Sequence, residues 1–232
     1  MKVSKRLKEL RKQVDLNKEY TLEEAIAALK GKANAKFVET LDCAIRLGID
    51  PKKADQAIRN TVILPHGVGK TVRVLVMTPS KAQEALDAGA DYAGYTDYVE
   101  KIKAGWSDVD VVIATPDAMV EVGKLGKILG PRGLMPNPKT GTVTMDVAKA
   151  VKESKAGKIE FRNDKAGIIH VGLGKINFES IQLKENALAF LNQIVRLKPT
   201  TVKGQYIKTC YLSTTMGVGL KLSNDELTGL TK

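Results

Sequence analysis

The chain has 232 residues, 43% of them hydrophobic but only 5% aromatic, and 37 Lys/Arg against 26 Asp/Glu give a formal net charge of +11. That length permits one large domain or two modest ones with real cores, and the basic surplus favours polyanionic partners, nucleic acid first. No apolar run of about eighteen residues offers a membrane span, and Cys43 and Cys210, without CxxC or histidine neighbours, read as reduced, buried cytosolic thiols and not as a zinc site.

The opening "KVSKRLKELRK" is a charge run on a predicted helix, with Leu7, Leu10 and Val14 as its apolar seam. It lacks the apolar stretch of a signal peptide, so a cytoplasmic location is expected. "ETLDCAIRLGI" (39–49) alternates strictly. Leu41, Cys43, Ile45 and Leu47 fall on one face and Thr40, Asp42, Ala44 and Arg46 on the other, the pattern of a half-buried strand. "IRNTVILP" is a further strand candidate.

Next comes "HGVGKT", which imitates the end of a phosphate-binding loop. The motif G-x-x-x-x-G-K-[ST] needs a first glycine at position 64, where leucine stands, and a helix after the lysine. The following "TVRVLVM" (71–77) is instead a strand pattern, so no helix N-terminus points at a phosphate. Gly67 and Gly69 read as residues that ease the backbone through a domain crossing.

From there strand and helix alternate. "SKAQEALDAG" is a helix capped by Ser80, "ADYAGY" a short strand, and "TDYVEKIKAG" a helix capped by Thr96 or Asp97. "VDVVIAT" (109–115) is a buried strand, "PDAMVEVGKLGKILG" one helix entered through Pro116, and "MDVAKAVKESKAG" a last helix. The alternation implies a parallel sheet under helices, Rossmann-like but without a G-x-G-x-x-G cofactor fingerprint. Beyond it, "KIEFRND", "IIHVGLG" and "QYIKTCYLSTT" read as strands. "NFESIQLKENALAFLNQIVRLKP" reads as a helix with Ile181, Leu188, Leu191 and Ile194 at helical spacing.

The first segment alone has too few strands for a closed sheet, and the last supplies the missing ones. The expectation is therefore an α+β discontinuous domain, residues 1–67 and 156–232, with an inserted α/β Rossmann-like domain, residues 68–155. Gly67, Gly69 and Gly157 would form the hinge of this two-domain architecture. Residues 68–155 hold 12 Lys/Arg and 11 Asp/Glu; taken from the totals of 37 and 26, they leave 25 and 15, so nearly all the excess charge lies in the discontinuous part.

Catalytic groupings are thin. His66 and His170 stand in different segments without a partnered nucleophile, metal spacing is absent, and no cofactor is expected. The rival to a binding role is a nucleotide-dependent enzyme using the α/β domain; a nonspecific basic tether is a third reading. The loop "LGKILGPRGLMPNPKTGTV" (125–143) is the densest unusual segment. Its prolines and glycines should shape it, presenting Lys127, Arg132 and Lys139 to RNA or to the other domain.

"GPRGLMPNPKTGTV" resembles the signature of the family of the bacterial large-subunit ribosomal protein L-one, the mobile side stalk of the ribosome. "SKRLKELRK", "KFVETLD", "RNDKAGIIHVGLGK" and "YLSTTMGVG" extend the resemblance over essentially the whole chain. The resemblance implies a non-enzymatic protein, monomeric outside the ribosome, that binds large-subunit rRNA, contacts exit-site tRNA and represses its own operon mRNA. It also implies an RNA face of Lys36, Phe37, Glu39, Thr40, Arg162, Asp164, Lys165, His170, Ser213, Thr215, Met216 and Gly217. Val218 stands where many relatives are expected to have proline. Hydroxyls at a strand end reach ribose 2′-hydroxyls, and Arg162 and Lys165 supply phosphate contacts, so structured RNA recognised by shape fits these residues better than stacked single strands.

Overall fold

The computed structural model describes residues 4–33 and 35–223. The chain divides into two compact units, Met1–Gly69 with Glu160–Lys232, and Lys70–Ile159. No described helix is long and apolar enough to cross a membrane.

The first segment opens with α1 (Lys5–Lys12), where the Ser4 hydroxyl caps the helix by accepting from the Leu7 amide at 3.3 Å. Leu10 and Val14 of the expected seam are buried, and Leu7 is half-buried. In α2 (Leu22–Lys30), Thr21 and Glu24 form a reciprocal capping box, and Leu22, Ala25, Ile26 and Leu29 are buried. The alternation read in the sequence appears in β1 (Thr40–Leu47): Leu41, Cys43, Ile45 and Leu47 are buried, and the intervening residues are half-buried or exposed. β2 (Arg59–Ile63) ends the segment.

In the central unit, β3 (Val74–Met77) is shorter than the expected 71–77. Arg73 lies outside it because its peptide and side chain are engaged by Asp110. α3 (Ala82–Asp87) is not capped by Ser80; its N-cap is Lys81, and the turn before it is closed by the Thr78 hydroxyl, which accepts from the Lys81 amide at 3.3 Å. β4 (Tyr92–Gly94) runs almost directly into α4 (Thr96–Lys103), so neither Thr96 nor Asp97 stands before the helix to cap it. Asp97 sits in the first turn, where its charge favours the positive helix end.

After β5 (Val111–Ala114), the expected single helix is broken into a 3-10 turn at Pro116–Ala118, α5 (Met119–Lys124) and α6 (Gly126–Leu129). Gly123 and Gly126 weaken the helix there while Leu125 turns inward and is buried. Last comes α7 (Val147–Lys155), capped by the Asp146 carboxylate. The parallel sheet has the order β4-β3-β5. Val74 and Val76 pack with the α3 and α7 side chains Ala85, Val147 and Val151. Leu75 and Met77 pack with Val99 and Ile102 of α4 and Val122 of α5. Both faces are therefore covered, which is why β3 reads as a continuous apolar run.

The chain returns through β6 (Lys158–Arg162), which pairs with β2. β7 (Ile168–Lys175), α8 (Ser180–Arg196), β8 (Ile207–Thr214) and β9 (Leu220–Lys221) follow. They complete a four-stranded sheet of order β7-β1-β8-β9, antiparallel throughout, in which β1 from the first segment lies between two strands of the last. α2 and α8 cover its inner face. The buried stripe of α8 is Leu183, Ala187, Phe190, Leu191 and Ile194, with Phe190 edge-on to Phe161 at 5.4 Å. Ile181, expected on that stripe, is 66% exposed. Both faces have helical spacing, and packing against α2 and β7 selects the one led by Leu183. Cys43 and Cys210 are buried free thiols whose sulfurs approach to 3.6 Å across β1 and β8.

Candidate nucleic-acid interface

The end of β1 and the end of β8 are tied into one platform. The Thr40 amide donates to the Thr215 hydroxyl at 2.9 Å, and the Thr215 amide donates to the Thr40 carbonyl at 3.0 Å. Glu39 is 2% exposed and turned inward, where its carboxylate accepts from the Ala35 amide at 3.2 Å and the Met216 amide at 3.0 Å. Burial alone would raise this carboxyl. The Met216 amide, the Thr214 hydroxyl, the Ala35 amide and the Arg6 charge outweigh it and hold the group below its ordinary value.

Gly217 closes the turn by donating to the Thr214 carbonyl at 3.0 Å. A Cβ at Gly217 would meet the Thr214 hydroxyl oxygen at 2.2 Å, so any side chain there must displace that hydroxyl. Val218 is buried and the turn beside it is kept. Arg6 donates to the Met216 carbonyl, and Lys175 donates to the Thr40 hydroxyl at 3.0 Å. Around this scaffold Phe37, Val38 and Met216 are about half exposed, at 53%, 43% and 49%, and Lys36 and Thr215 face outward.

The hairpin between β6 and β7 carries a second group. Asp164 accepts from the Ala166 and Ile168 amides, each at 2.8 Å, shaping the turn. The Ile168 amide foremost, and with it the Ala166 amide and the His170 charge, hold this exposed carboxyl below its ordinary value. Arg162 and Lys165 are exposed on either side. His170 points from β7 to the outer face of the sheet, its Nε2 3.9 Å from Asp164.

Strand register joins the two groups. Across the outer face run the rows Lys175–Thr40, Gly172–Asp42–Ser213, His170–Ala44–Tyr211–Lys221 and Ile168–Arg46–Thr209. Thr40, His170 and Ser213, drawn from three strands, thus share one surface. Asp42, Tyr211 and Lys175 belong to it as well and were not singled out from the sequence. The alternation of β1 placed Asp42 on this face, but nothing local marks Tyr211 or Lys175 as its neighbours. Burial raises the Asp42 carboxyl above its ordinary value, against the pull of Lys175 and His170.

Other candidates lie elsewhere. Lys127, Arg132 and Lys139 are exposed on the 125–143 segment of the central unit, which is built, not loose. Asn137 accepts from the Lys139 amide at 2.8 Å, and Thr140 and Thr142 donate to the Asn137 carbonyl at 3.0 and 3.2 Å. Gly67, Gly69 and Gly157 adopt φ of 63°, 72° and 97°, the left-handed region that favours glycine. Lys70, the lysine of the loop look-alike, is ion-paired to Asp110, which also binds Arg73. No group of three His, Cys, Asp or Glu among the described residues converges as a metal site.

A family model described as the ribosomal protein L1p/L10e family matches residues 29–218. The chain belongs to that family. It is 57% identical to the large ribosomal subunit protein uL1 of Chlorobaculum tepidum over 215 residues, 92% of this chain and 93% of that protein. It is 54% identical to the proteins of the same name from Flavobacterium johnsoniae, covering 95% of this chain and 97% of that one, and Protochlamydia amoebophila, covering 96% and 95%. The L1p/L10e match takes in the platform through Val218 and the hairpin, but not α1, whose Arg6 grips the platform from outside the matched span.

Proposed function

We propose that this member of the L1p/L10e family is a structural constituent of the large ribosomal subunit that binds large-subunit rRNA at the mobile side stalk. It is a cytoplasmic ribosomal binding protein and not an enzyme, as the structural ribosomal proteins of its family are. The supporting observation is the outer surface of the four-stranded sheet, where Thr40, Ser213 and His170 share one face and Thr215 and Met216 close its end over the buried Glu39. Fixed backbone and hydroxyl groups of this kind engage ribose and phosphate by shape. Exposed Lys36, Arg162 and Lys165 position the phosphates, and Phe37 and Met216 offer apolar cover to a sugar or base face.

In this reading, residues 1–67 and 156–232 are the RNA-binding domain and residues 68–155 are a Rossmann-like insertion that swings on Gly67, Gly69 and Gly157. The insertion presents Lys127, Arg132 and Lys139 as a secondary contact. The protein is monomeric outside the ribosome, contacts exit-site tRNA, and represses its own operon mRNA through an RNA structure like the rRNA site.

The test is equilibrium binding of the full chain to a transcript of the side-stalk region of large-subunit rRNA, with unrelated RNA of equal length as competitor. Replacing Thr215 and Met216 together by alanine should weaken binding at least tenfold while the unrelated RNA competes poorly. Unchanged affinity in the double variant would remove the proposed face, and equal competition would leave only a basic tether.

A further inference from the structure

Of the basic residues that open the chain, one is set apart by where its helix puts it. Lys5, Lys8, Arg11 and Lys12 of α1 are exposed, whereas Arg6 is half-buried and donates to the Met216 carbonyl, 210 residues away. Arg6 and Leu10 lie about one helical turn apart on the same face, so the packing that buries Leu10 also aims Arg6 at the turn after β8. The helix is held by contacts away from that turn. The Ser4 hydroxyl caps its start, Leu10 and Val14 are buried, and at its far end the Lys32 ammonium donates to the Gln13 carbonyl at 2.5 Å. The segment beyond it is tied to β9, where the Tyr20 amide donates to the Lys221 carbonyl at 2.9 Å. Arg6 is thus presented to the platform by a separately anchored element.

We propose that Arg6 is a positioning residue for RNA binding: it fixes the main chain of Met216, so that the Thr215–Gly217 turn is shaped before RNA arrives. The inference rests on the RNA-binding reading above and adds to it a residue outside the face considered there. The peptide groups of the turn are held one by one. The Thr215 amide donates to the Thr40 carbonyl, the Met216 amide to the Glu39 carboxylate and the Gly217 amide to the Thr214 carbonyl, each at 3.0 Å. Thr40, Glu39 and Thr214 lie at the ends of β1 and β8, whereas Arg6 reaches in from α1. Those three bonds engage amides and the Arg6 bond engages a carbonyl, so Met216 is held on both sides of its Cα. The Cα–Cβ bond of this residue, whose side chain is 49% exposed, therefore leaves the surface in one direction. The Arg6 charge also favours the ionised Glu39 carboxylate, the acceptor on the other side of the same residue. A charged donor makes the stronger hydrogen bond, and a turn held beforehand loses less freedom on binding. Because the hydrogen bond and the charge of Arg6 are directed at the protein, its role differs from that of the exposed cations of α1, which add long-range attraction.

The experiment measures equilibrium binding of the full-length chain to a transcript of the side-stalk region of large-subunit rRNA across a salt series. It compares wild type with Arg6→Ala, Arg6→Lys, Lys8→Ala, Met216→Ala and the double variant Arg6→Ala/Met216→Ala. Arg6→Ala should bind about tenfold more weakly, with the slope of log affinity against log salt unchanged. Arg6→Lys, keeping a charged donor, should recover part of the loss. Lys8→Ala, which removes the same charge from an exposed position, should bind about as tightly as wild type. In the Met216→Ala background the Arg6 substitution should cost less than about threefold, because the side chain it places is gone. Thermal melts accompany the binding, and the same cycle with Arg6→Lys decides should the alanine variant fold poorly. Unchanged affinity in Arg6→Ala overturns the proposal and leaves RNA binding intact. A lowered melting temperature with a full loss persisting in the Met216→Ala background marks a merely structural role and overturns it as well. A slope flattened by about 0.7–0.9, with the two losses adding in the double variant, makes Arg6 a phosphate contact and also overturns it. Failure of wild type to bind the transcript overturns the RNA-binding reading and this one together.

Discussion

Glu39 shows how far a single residue can be read before its surroundings are known. Its place beside Thr40 was plain from the order of the chain, and the resemblance put it on the RNA face. The structure buries it as the acceptor that fastens the Ala35 and Met216 amides. Glu39→Gln removes charge and turns an amide group towards backbone donors, so it should cost about 1–3 kcal/mol in urea unfolding at neutral pH. The folded pKa lies below the unfolded one, so the stabilisation is complete above the ordinary carboxylate range and disappears as pH falls through the depressed value. The gap between wild type and Glu39→Gln should therefore close on acidification from about pH 5 towards pH 3, as urea melts across that range will show. Gly217 follows the same reasoning. Gly217→Ala places a methyl 2.2 Å from the Thr214 hydroxyl oxygen and must displace that hydroxyl from Glu39. It should lower affinity for the side-stalk transcript at least tenfold in the binding assay, with a stability loss of about 1–3 kcal/mol.

At the scale of elements, what was legible followed from pattern strength. β1 alternates over eight residues, a signal only a half-buried strand gives, and its burial matches residue by residue. Caps and helix interruptions were less legible: Ser80, Thr96 and Asp97 are all good capping types, but chain direction after β3 and β4 decides where each helix begins. In α8 the sequence offered two apolar spacings, and the partner helix chose between them. The same helix carries Asn186, wholly buried, which no local pattern marks as a clasp. It accepts from the His66 amide at 3.1 Å and donates to the carbonyls of Gly67 and Leu173 at 2.9 and 2.8 Å. Asn186→Leu would strand these backbone groups in the core, at a cost of about 2–4 kcal/mol. Hydrogen exchange at the His66 amide should accelerate, while exchange in β3 of the central unit stays as it was; equal acceleration in both would show global destabilisation and no local clasp.

For the molecule as a whole, charge distribution is the governing quantity. With 25 basic and 15 acidic residues outside positions 68–155, binding to the rRNA transcript should weaken steeply with salt. Replacing Arg162 or Lys165 by alanine should flatten the plot of log affinity against log salt by about 0.7–0.9 if each neutralises one phosphate. Replacing Lys127 should leave the slope unchanged with the side-stalk fragment alone, because its contacts in this reading are secondary. Filter binding from 50 to 300 mM salt reads both, and a larger slope change for Lys127 would move the main interface to the central unit.

The amino-acid order by itself determined which segments are strands and helices, where the cations concentrate, and that the phosphate-loop imitation at Gly67–Thr71 lacks its first glycine and its helix. These are properties of neighbours along the chain, governed by periodicity and local backbone chemistry. Only the tertiary structure decided that Glu39 is turned inward, that Arg6 and Lys175 hold the platform, that Asn186 clasps the segment at His66 and Gly67, and that Asp42 lies between Gly172 and Ser213. Each of those joins residues more than a hundred positions apart, and the last is fixed by the register of the strands. Burying one face of β1 sets that register, and a shift by one residue would exchange the core and the outer surface.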